Sequence, residues 1–261
     1  MDKSTLTRLL GFPATLIHGD TLVLDRWLWL QQRLPRTRNG ERLLDVGCGT
    51  GAFSIGAARL GYESLGLSWD ERNQRVAGER AEMCKATTAK FDVADVRRLD
   101  ERTDLVGRFD VAICLENIEH ILDDRKLLKD IAGCLKPGGR LLLTTPYLLY
   151  RSIVSSDDGP FPKEETGWHV RRGYTRAMLQ ELCDQAGLVA EAFSFCSGWC
   201  SQKVTALLWQ GSRVHPIFAW AATLGLRPLP PLLDGPITEL TGWPSYSICL
   251  EAYKPRFPSG A

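Results

Sequence analysis

Short apolar runs alternate with longer amphipathic segments through the middle of the chain. The runs are RLLDV (42–46), ESLGLS (63–68), TAKFDV (88–93), FDVAICL (109–115) and GRLLLTTP (139–146). Their aliphatic and β-branched residues predict buried strands, and each is separated from the next by enough residues for a helix. Helix patterns fall at 51–60, 70–84 and 123–135, the last stopped by KPGG (136–139). Such alternation predicts a mostly parallel sheet covered on both faces.

The flanks of this block also carry helix and strand patterns. Upstream, Asp20 can cap an apolar helix over 21–34. This helix contains Trp27 and Trp29, so we expect it to pack against another apolar surface. Downstream, we predict a helix over 175–187 with Thr175 as its cap, then strands over 188–198 and 246–255. Two long segments, 147–174 and 201–244, interrupt the alternation. Segments of this length in a compact domain are usually lids or binding loops, although surface decoration is the alternative.

Composition narrows the class of protein. With 261 residues, 44% hydrophobic and 24% charged, the chain can form one large domain with insertions. A net charge of +1 provides no overall field for nucleic acid, and we predict no nucleic-acid partner. The cysteines are scattered singly, which is typical of reduced thiols in a cytoplasmic protein. Polar residues follow Met1, so we expect no secretory signal, and the apolar run 216–226 is too short to span a bilayer.

A glycine-rich loop directly follows the first predicted strand. In LLDVGCGTG, Asp45 precedes Gly47, Gly49 and Gly51. Glycines let the backbone turn sharply and let a ligand approach main-chain atoms, and the start of the following helix offers unpaired N–H groups. Gly47, Gly49 and Ala52 also satisfy the G-x-G-x-x-G/A pattern of dinucleotide-binding proteins. The acid before the first glycine favours a cofactor with a cationic amino-acid tail over a pyrophosphate.

This D-x-G-x-G-x-G loop resembles motif I of class I S-adenosylmethionine-dependent methyltransferases. The resemblance covers roughly residues 41–197 and the last strand, and it includes FDVADVRRL, FDVAICLENIEHI and LKPGGRLLLTTP in the family's order. It implies S-adenosylmethionine as cofactor and S-adenosylhomocysteine as product. The cofactor residues that it implies along these motifs are Asp45, Gly47, Cys48, Gly49, Gly51, Asp95 (beside the adenine), Val96, Leu115, Glu116 and His120.

The second strand departs from the family's pattern. Ser68 stands where most members have an acid that holds the ribose, which is similar to the cyclopropane fatty acid synthase branch. By that resemblance Ser68 and Asn73 share the ribose, and Trp69 packs on the adenine. We predict that Asp70 caps the following helix instead of binding the ribose.

Candidate catalytic residues come from GWHVRRGYTR (167–176) and from the end of the fourth strand. Related methyltransferases carry a similar His, Arg and Tyr segment, which implies His169 as general base and Tyr174 as second candidate. Alternatively, His169 and Arg171 tie the lid to the sheet. His120 either packs on the cofactor or transfers a proton. The histidines show no ligand spacing typical of a metal, and we predict no metal site.

The second long segment is apolar and bears on the acceptor. Its leucines, Trp209, Phe218 and Trp220, together with Trp27 and Trp29, could cover a lipid-like or aromatic acceptor or rest on a membrane surface. Core packing or a dimer contact is the alternative. The chain is therefore expected to act on a small-molecule or lipid-like acceptor, with possible peripheral membrane contact, as a monomer or homodimer.

The sequence thus predicts an α/β fold: a doubly wound, seven-stranded mixed sheet of the Rossmann-like class I methyltransferase type, with the last strand antiparallel. We divide the chain into an N-terminal helical cap (1–40), a cofactor-binding core (41–146), a substrate-lid insertion (147–174), more core (175–200), an apolar insertion (201–244) and a final strand with its tail (245–261). The expected reaction is O-methylation, by resemblance to quinone and glycan O-methyltransferases through ENIEH. The alternatives are C- or N-methylation of an apolar natural product, an NAD-dependent oxidoreductase, and a scaffold without chemistry.

Overall fold

The computed structural model describes residues 3–17 and 21–256, and a seven-stranded sheet lies at its centre. The strands are β1 (Arg42–Val46), β2 (Glu63–Ser68), β3 (Ala89–Val93), β4 (Phe109–Leu115), β5 (Leu135–Pro146), β6 (Val189–Cys196) and β7 (Ser247–Tyr253). Their order is β3-β2-β1-β4-β5-β7-β6, and β7 runs antiparallel to both of its neighbours. The remaining pairs are parallel. The predicted mixed sheet with an antiparallel last strand is confirmed.

The helices cover both faces of the sheet. They are α1 (Lys3–Leu10), α2 (Phe12–Ile17), α3 (Val23–Gln31), α4 (Ala52–Arg59), α5 (Glu71–Met83), α6 (Asp124–Cys134), α7 (Arg176–Ala186), α8 (Trp199–Ser212), α9 (Pro216–Leu224) and α10 (Pro230–Thr241). The predicted cap of α7 is confirmed, because Thr175 Oγ1 accepts from Met178 N at 3.3 Å. Gly187 ends α7 with a left-handed backbone. The predicted cap Asp20 lies outside the described residues, and α3 begins after Leu22 without a side-chain cap.

β5 begins earlier than predicted. Residues 136–139, expected to form only a turn, belong to the strand, because Gly138 N donates to Lys254 O at 2.8 Å beside β7. The register of the β4–β5 pair shifts between Phe109 and Val111, which accommodates the irregular start. The helix before it ends at Cys134, one residue before the predicted end at Leu135.

The tryptophans of α3 lie in the core. Trp27 and Trp29 are each 5% exposed, and they pack with Leu30, Leu34 and Leu43 against one face of the sheet. Trp29 Nε1 also donates to Ser194 Oγ on β6 at 2.9 Å. The idea that these two side chains cover an acceptor is therefore wrong: they are buried between α3 and the sheet, and the alternative of core packing is confirmed.

The two long segments cover the carboxyl edge of the parallel strands differently. Segment 147–174 is mostly irregular, with one short 3-10 helix at Ser155–Asp158. The segment 201–244 is helical and forms most of α8 with α9 and α10. Among the described residues, no helix combines the length and the apolar character that crossing a membrane requires.

Candidate active site

The glycine loop between β1 and α4 has the backbone that its sequence predicts. Gly47, Gly49 and Gly51 have φ angles of 84°, 51° and 79°, a region that side chains with a Cβ rarely adopt. A Cβ on Gly51 would lie 2.8 Å from the Cβ of Ala77 and from the ring of Phe91. A Cβ on Gly49 would meet nothing within 4 Å, so the loop is open there and a ligand can approach its main chain.

Asp45 lies beneath this loop and not at its surface. The residue is 1% exposed, and its Oδ2 accepts a hydrogen bond from Ser54 Oγ on α4 at 2.6 Å. Burial raises the pKa of its carboxyl to about 7, with the bonds from Ser54 opposing the shift. Its side chain therefore fixes the start of α4 against β1, and its direct role toward the cofactor stays a prediction.

Two adjoining cavities open above the loop. They have volumes of about 330 Å³ and about 470 Å³, and Gly47, Gly49, Glu116 and His120 line both of them. The carboxyl ends of β1, β2 and β4 thus meet at one site, as expected for an open α/β sheet. Because the two cavities share these lining residues, they are continuous, and together they offer space for a cofactor beside space for an acceptor.

The smaller cavity contains the residues predicted to hold the adenosine. Ser68, Trp69, Asn73, Asp95 and Val96 all line it. Trp69 is 67% exposed, so its ring is available as a stacking surface. Asp95 has a lowered pKa, chiefly because the Arg97 side chain hydrogen-bonds its carboxylate.

The predicted role of Asp70 as a helix cap is confirmed. Its Oδ1 accepts from Arg72 N at 2.8 Å and from Asn73 N at 3.3 Å at the start of α5. Ser68 Oγ in turn accepts from Asp70 N at 3.3 Å. Asp70 does not line either of the two cavities described above.

We expect Asp70→Ser to leave the affinity for S-adenosylhomocysteine unchanged, because serine keeps the cap while removing the charge. The stability should change by less than about 0.5 kcal/mol, since Ser and Asp are comparable caps. Ser68→Ala is the comparison: loss of one hydrogen bond of about 1 kcal/mol should weaken binding about fivefold. Isothermal titration calorimetry measures both, and a large loss in Asp70→Ser would contradict the cap assignment.

The larger cavity includes the end of β4 and an arginine that the sequence did not single out. Leu115 and Glu116 line it, as predicted, together with Cys48. Glu116 has a φ of 50°, and its carboxylate accepts from Thr144 and Ser247 at 2.9 Å. Arg26 Nη2 lies 3.1 Å from Glu116 Oε2.

Arg26 is the charged residue that the described part of α3 contributes to this cavity. Its guanidinium is largely buried, and a buried cation beside a glycine loop suits a carboxylate ligand. The sequence did contain a sign of this residue's role. The charged pair Asp25 and Arg26 interrupts the otherwise apolar run TLVLDRWLWL.

His169 of the lid faces His120 across the cavity. Both residues line it, and their rings lie 4.7 Å apart, edge to face. Burial, then the nearby His120 and Arg26 charges, lower the pKa of His169 to about 4. Burial also lowers the pKa of His120. Both imidazoles are therefore neutral at physiological pH, the form that can accept a proton.

Glu119 lies next to this pair. It is fully buried, its Oε2 accepts from Thr145 Oγ1 at 3.1 Å, and its Oε1 is 3.9 Å from His120 Nε2. Burial and then the charge of Glu116 raise the pKa of Glu119. One ligand atom from each of Glu119, His120 and His169 lies within 4.8 Å of the others, a spacing that could hold a cation. The absence of a metal stays a prediction.

Tyr174 is not brought to the cavity. It is 0% exposed, and its hydroxyl donates to Asp124 Oδ2 at 2.8 Å in the core. Arg171, from the same stretch, bonds Asp124 and the carbonyl of Ile121, the latter at 2.6 Å. These two residues thus fix the lid to the start of α6, as the alternative interpretation held for Arg171. The structure contradicts the catalytic assignment of Tyr174, because burial removes its hydroxyl from the acceptor.

Comparisons with known proteins agree with this architecture. A ubiquinone biosynthesis O-methyltransferase from Coxiella burnetii is 32% identical over 120 residues, which are 46% of this chain and 49% of that protein. The Acinetobacter baylyi protein of the same name is 31% identical over 106 residues, 41% of this chain and 44% of its own length. The chain thus matches about half the length of these curated relatives.

Solved structures match over more of the chain. The [4+2]-cyclase SpnF gives a TM-score of 0.62 at 21% identity, covering 89% of this chain and 81% of its own. Phosphoethanolamine N-methyltransferase 2 from Haemonchus contortus, solved with S-adenosylhomocysteine, also gives 0.62, at 19% identity, covering 98% of this chain and 60% of that one. At such identities they indicate a shared fold alone.

A family model described as a methyltransferase domain matches residues 24–192, which include the glycine loop, β4 and the lid. Because this match covers more than half of the chain, and the seven-stranded sheet agrees with it, the chain belongs to the class I S-adenosylmethionine-dependent methyltransferases.

Proposed function

We propose that the protein transfers a methyl group from S-adenosylmethionine to a hydroxyl oxygen of a small or lipid-linked acceptor. The observation that carries the proposal is the larger cavity, where the neutral imidazole of His169 faces a space continuous with the glycine loop. Apolar side chains of Val23, Phe53, Ile153 and Trp209 line the same cavity. An aromatic or lipid-like acceptor fits such walls.

The residues present fit the cofactor. S-adenosylmethionine supplies an electrophilic methyl group on a sulfonium. The open main chain at Gly49 would admit the methionine portion, and Arg26 would bind its carboxylate. Ser68 and Asn73 would hold the ribose, with Trp69 and Asp95 beside the adenine, and all four line the smaller cavity. Two cations, an ammonium and a sulfonium, suit the acidic side chains Glu116 and Glu119 nearby.

The walls of the larger cavity would orient the acceptor hydroxyl, and the lid would exclude water. When bound, the cofactor would supply the methyl group to the acceptor oxygen, and its sulfur would keep the electron pair of the carbon–sulfur bond. His169 accepts the proton of the acceptor hydroxyl. His120 orients the His169 ring by the edge-to-face contact, and a carboxyl oxygen of Glu119 lies within 4.8 Å of a ring nitrogen of His169.

A relative's name supports oxygen as the atom methylated: the curated relatives are O-methyltransferases of ubiquinone biosynthesis. We also propose a cytoplasmic location with peripheral membrane contact. Exposed apolar side chains on the second insertion support that contact, with Phe218 exposed at 73% and Leu232 at 72%. Monomer and homodimer both stay open.

The test incubates the purified protein with methyl-labelled S-adenosylmethionine and a source-cell extract, then partitions the label. We expect label in the organic phase, attached through a base-stable ether whose methyl carbon resonates as a methoxy group in NMR spectra. Label only in water would contradict the lipid-like acceptor, and label on carbon or nitrogen would contradict O-methylation. Heat-killed protein is the control.

A further inference from the structure

A chain of hydrogen bonds joins three helices beside the larger cavity. Ser201 Oγ on α8 contacts Asp25 Oδ2 on α3 and Asp234 Oδ2 on α10. Asp25 is 8% exposed and Ser201 is 1% exposed. Two carboxyl groups from different helices therefore meet at one buried hydroxyl.

The protons of this cluster can be counted. A serine hydroxyl has one proton and donates to only one of the two carboxyl groups. Asp234 also accepts from Gly198 N at 2.9 Å and from Ser201 N at 3.0 Å, and these N–H groups at the start of α8 stabilise an anion. The second carboxyl group must then bring its own proton, and within the part of the chain that the structure describes, Asp25 is the one for which no backbone donor of this kind is seen.

The surroundings of Asp25 agree with that assignment. Burial raises its pKa to about 7, and the charge of Asp234 adds to the effect. Hydrogen bonds from Ser201 and Ser197 and the charge of Arg26 oppose it. A further titratable neighbour is the thiol of Cys200 on α8, whose pKa is itself raised by burial and by the two carboxylates.

The cluster is connected to the active site through its own helices. Arg26 follows Asp25 on α3 and makes the ion pair with Glu116 at 3.1 Å. On α8, Thr205 and Trp209 line the same cavity as Arg26. The spacing between α3 and α8 therefore sets the distance between two walls of the cavity.

We infer that Asp25 is a positioning residue: its protonated carboxyl, through Ser201 and Asp234, locks α3 to α8 and α10 and keeps Arg26 placed for cofactor binding. This inference rests on the proposed role of Arg26 toward the cofactor carboxylate. When Asp25 loses its proton, two negative charges face one hydroxyl, and their repulsion separates the helices.

The experiment measures binding of S-adenosylhomocysteine by calorimetry at about pH 6 and about pH 8.5, in the wild-type chain and in Asp25→Asn. Asparagine has the shape of the protonated acid and cannot ionise. The wild type should lose about tenfold in affinity at the higher pH, within the roughly 30-fold that linkage to a pKa of about 7 allows. Asp25→Asn should lack this loss and keep only the pH dependence that the groups common to both proteins produce.

Asp45 and His120 titrate in both proteins, so their contributions cancel in the comparison. Asp234→Asn, which removes the repelling charge but leaves Asp25 buried, should reduce the pH dependence without abolishing it, and circular dichroism checks that each variant is folded. A parallel loss of affinity in wild type and Asp25→Asn would overturn this inference alone. No binding in any protein at either pH would overturn the proposed cofactor site as well.

Discussion

Gly47→Ala should weaken binding of S-adenosylhomocysteine by at least about 100-fold, which corresponds to about 2.7 kcal/mol. The added Cβ would lie 2.4 Å from Cγ and Oδ1 of Asn117, a contact that no real Cβ makes. Asn117 lines the smaller cavity beside the loop, so the clash moves a wall of the adenosine site. The φ of 84° adds the strain of a left-handed backbone, about 1–2 kcal/mol for a residue with a Cβ.

Gly187→Ala is the matched control for this prediction. Gly187 has a φ of 71° at the end of α7, and its Cβ would meet nothing within 4 Å. The variant should lose about 1–2 kcal/mol of stability from backbone strain and keep its affinity for the cofactor. Calorimetric titration and thermal unfolding of both variants separate strain from clash. Equal affinities in the two variants would show that the loop does not hold the cofactor.

Most of the sheet and the glycine loop could be predicted from the sequence, because each depends on residues that are adjacent in the chain. β1, β2 and β4 are continuous apolar runs, and the loop's glycines have positive φ angles that few other residues tolerate. The cap of α5 was also a local matter, since Asp70 bonds residues two and three positions away.

Other features depended on which elements meet in space. Trp27 and Trp29 have the same apolar pattern whether α3 covers an acceptor or a sheet. The structure distinguishes the two, because both side chains pack with Leu30, Leu34 and Leu43. The pairing of Arg26 with Glu116 joins residues far apart in sequence. Such contacts cannot be inferred from periodicity, which specifies a buried face but not its partner.

The lid segment 147–174 contains one predicted site residue that reaches the cavity and one that does not. Its histidine and tyrosine are close in sequence, yet His169 reaches the cavity while Tyr174 bonds Asp124 in the core. Irregular backbone in residues 147–174 gives no period from which to assign the two orientations.

The second large effect is expected for His169→Gln. Loss of the proton acceptor should lower kcat about 10²- to 10⁴-fold, the usual contribution of general acid–base catalysis. The affinity for S-adenosylhomocysteine should stay unchanged, because His169 lines the larger cavity and not the adenosine cavity. Steady-state kinetics with the acceptor identified by the labelling experiment measures the first quantity, and calorimetry measures the second.

Two comparisons give this prediction its controls. Trp168 precedes His169 in the lid and is 71% exposed, so Trp168→Phe should leave kcat unchanged. His120 lines both cavities, so His120→Gln should lower kcat and weaken cofactor binding together. A drop in cofactor affinity for His169→Gln as large as the drop in kcat would contradict a role in proton transfer and favour a structural one.

The pH dependence of kcat/KM for the acceptor, measured with saturating cofactor, provides a further check with a definite sign. A base acts in its neutral form, and burial lowers the pKa of His169 to about 4. This kcat/KM should therefore stay constant from about pH 7 down to about pH 5.5, whereas a histidine with the usual pKa of about 6.5 would lose most of it. A fall in kcat/KM near pH 6.5 would contradict the buried imidazole as the base. Loss of turnover on chelation, restored by a divalent cation, would instead assign Glu119, His120 and His169 to a metal.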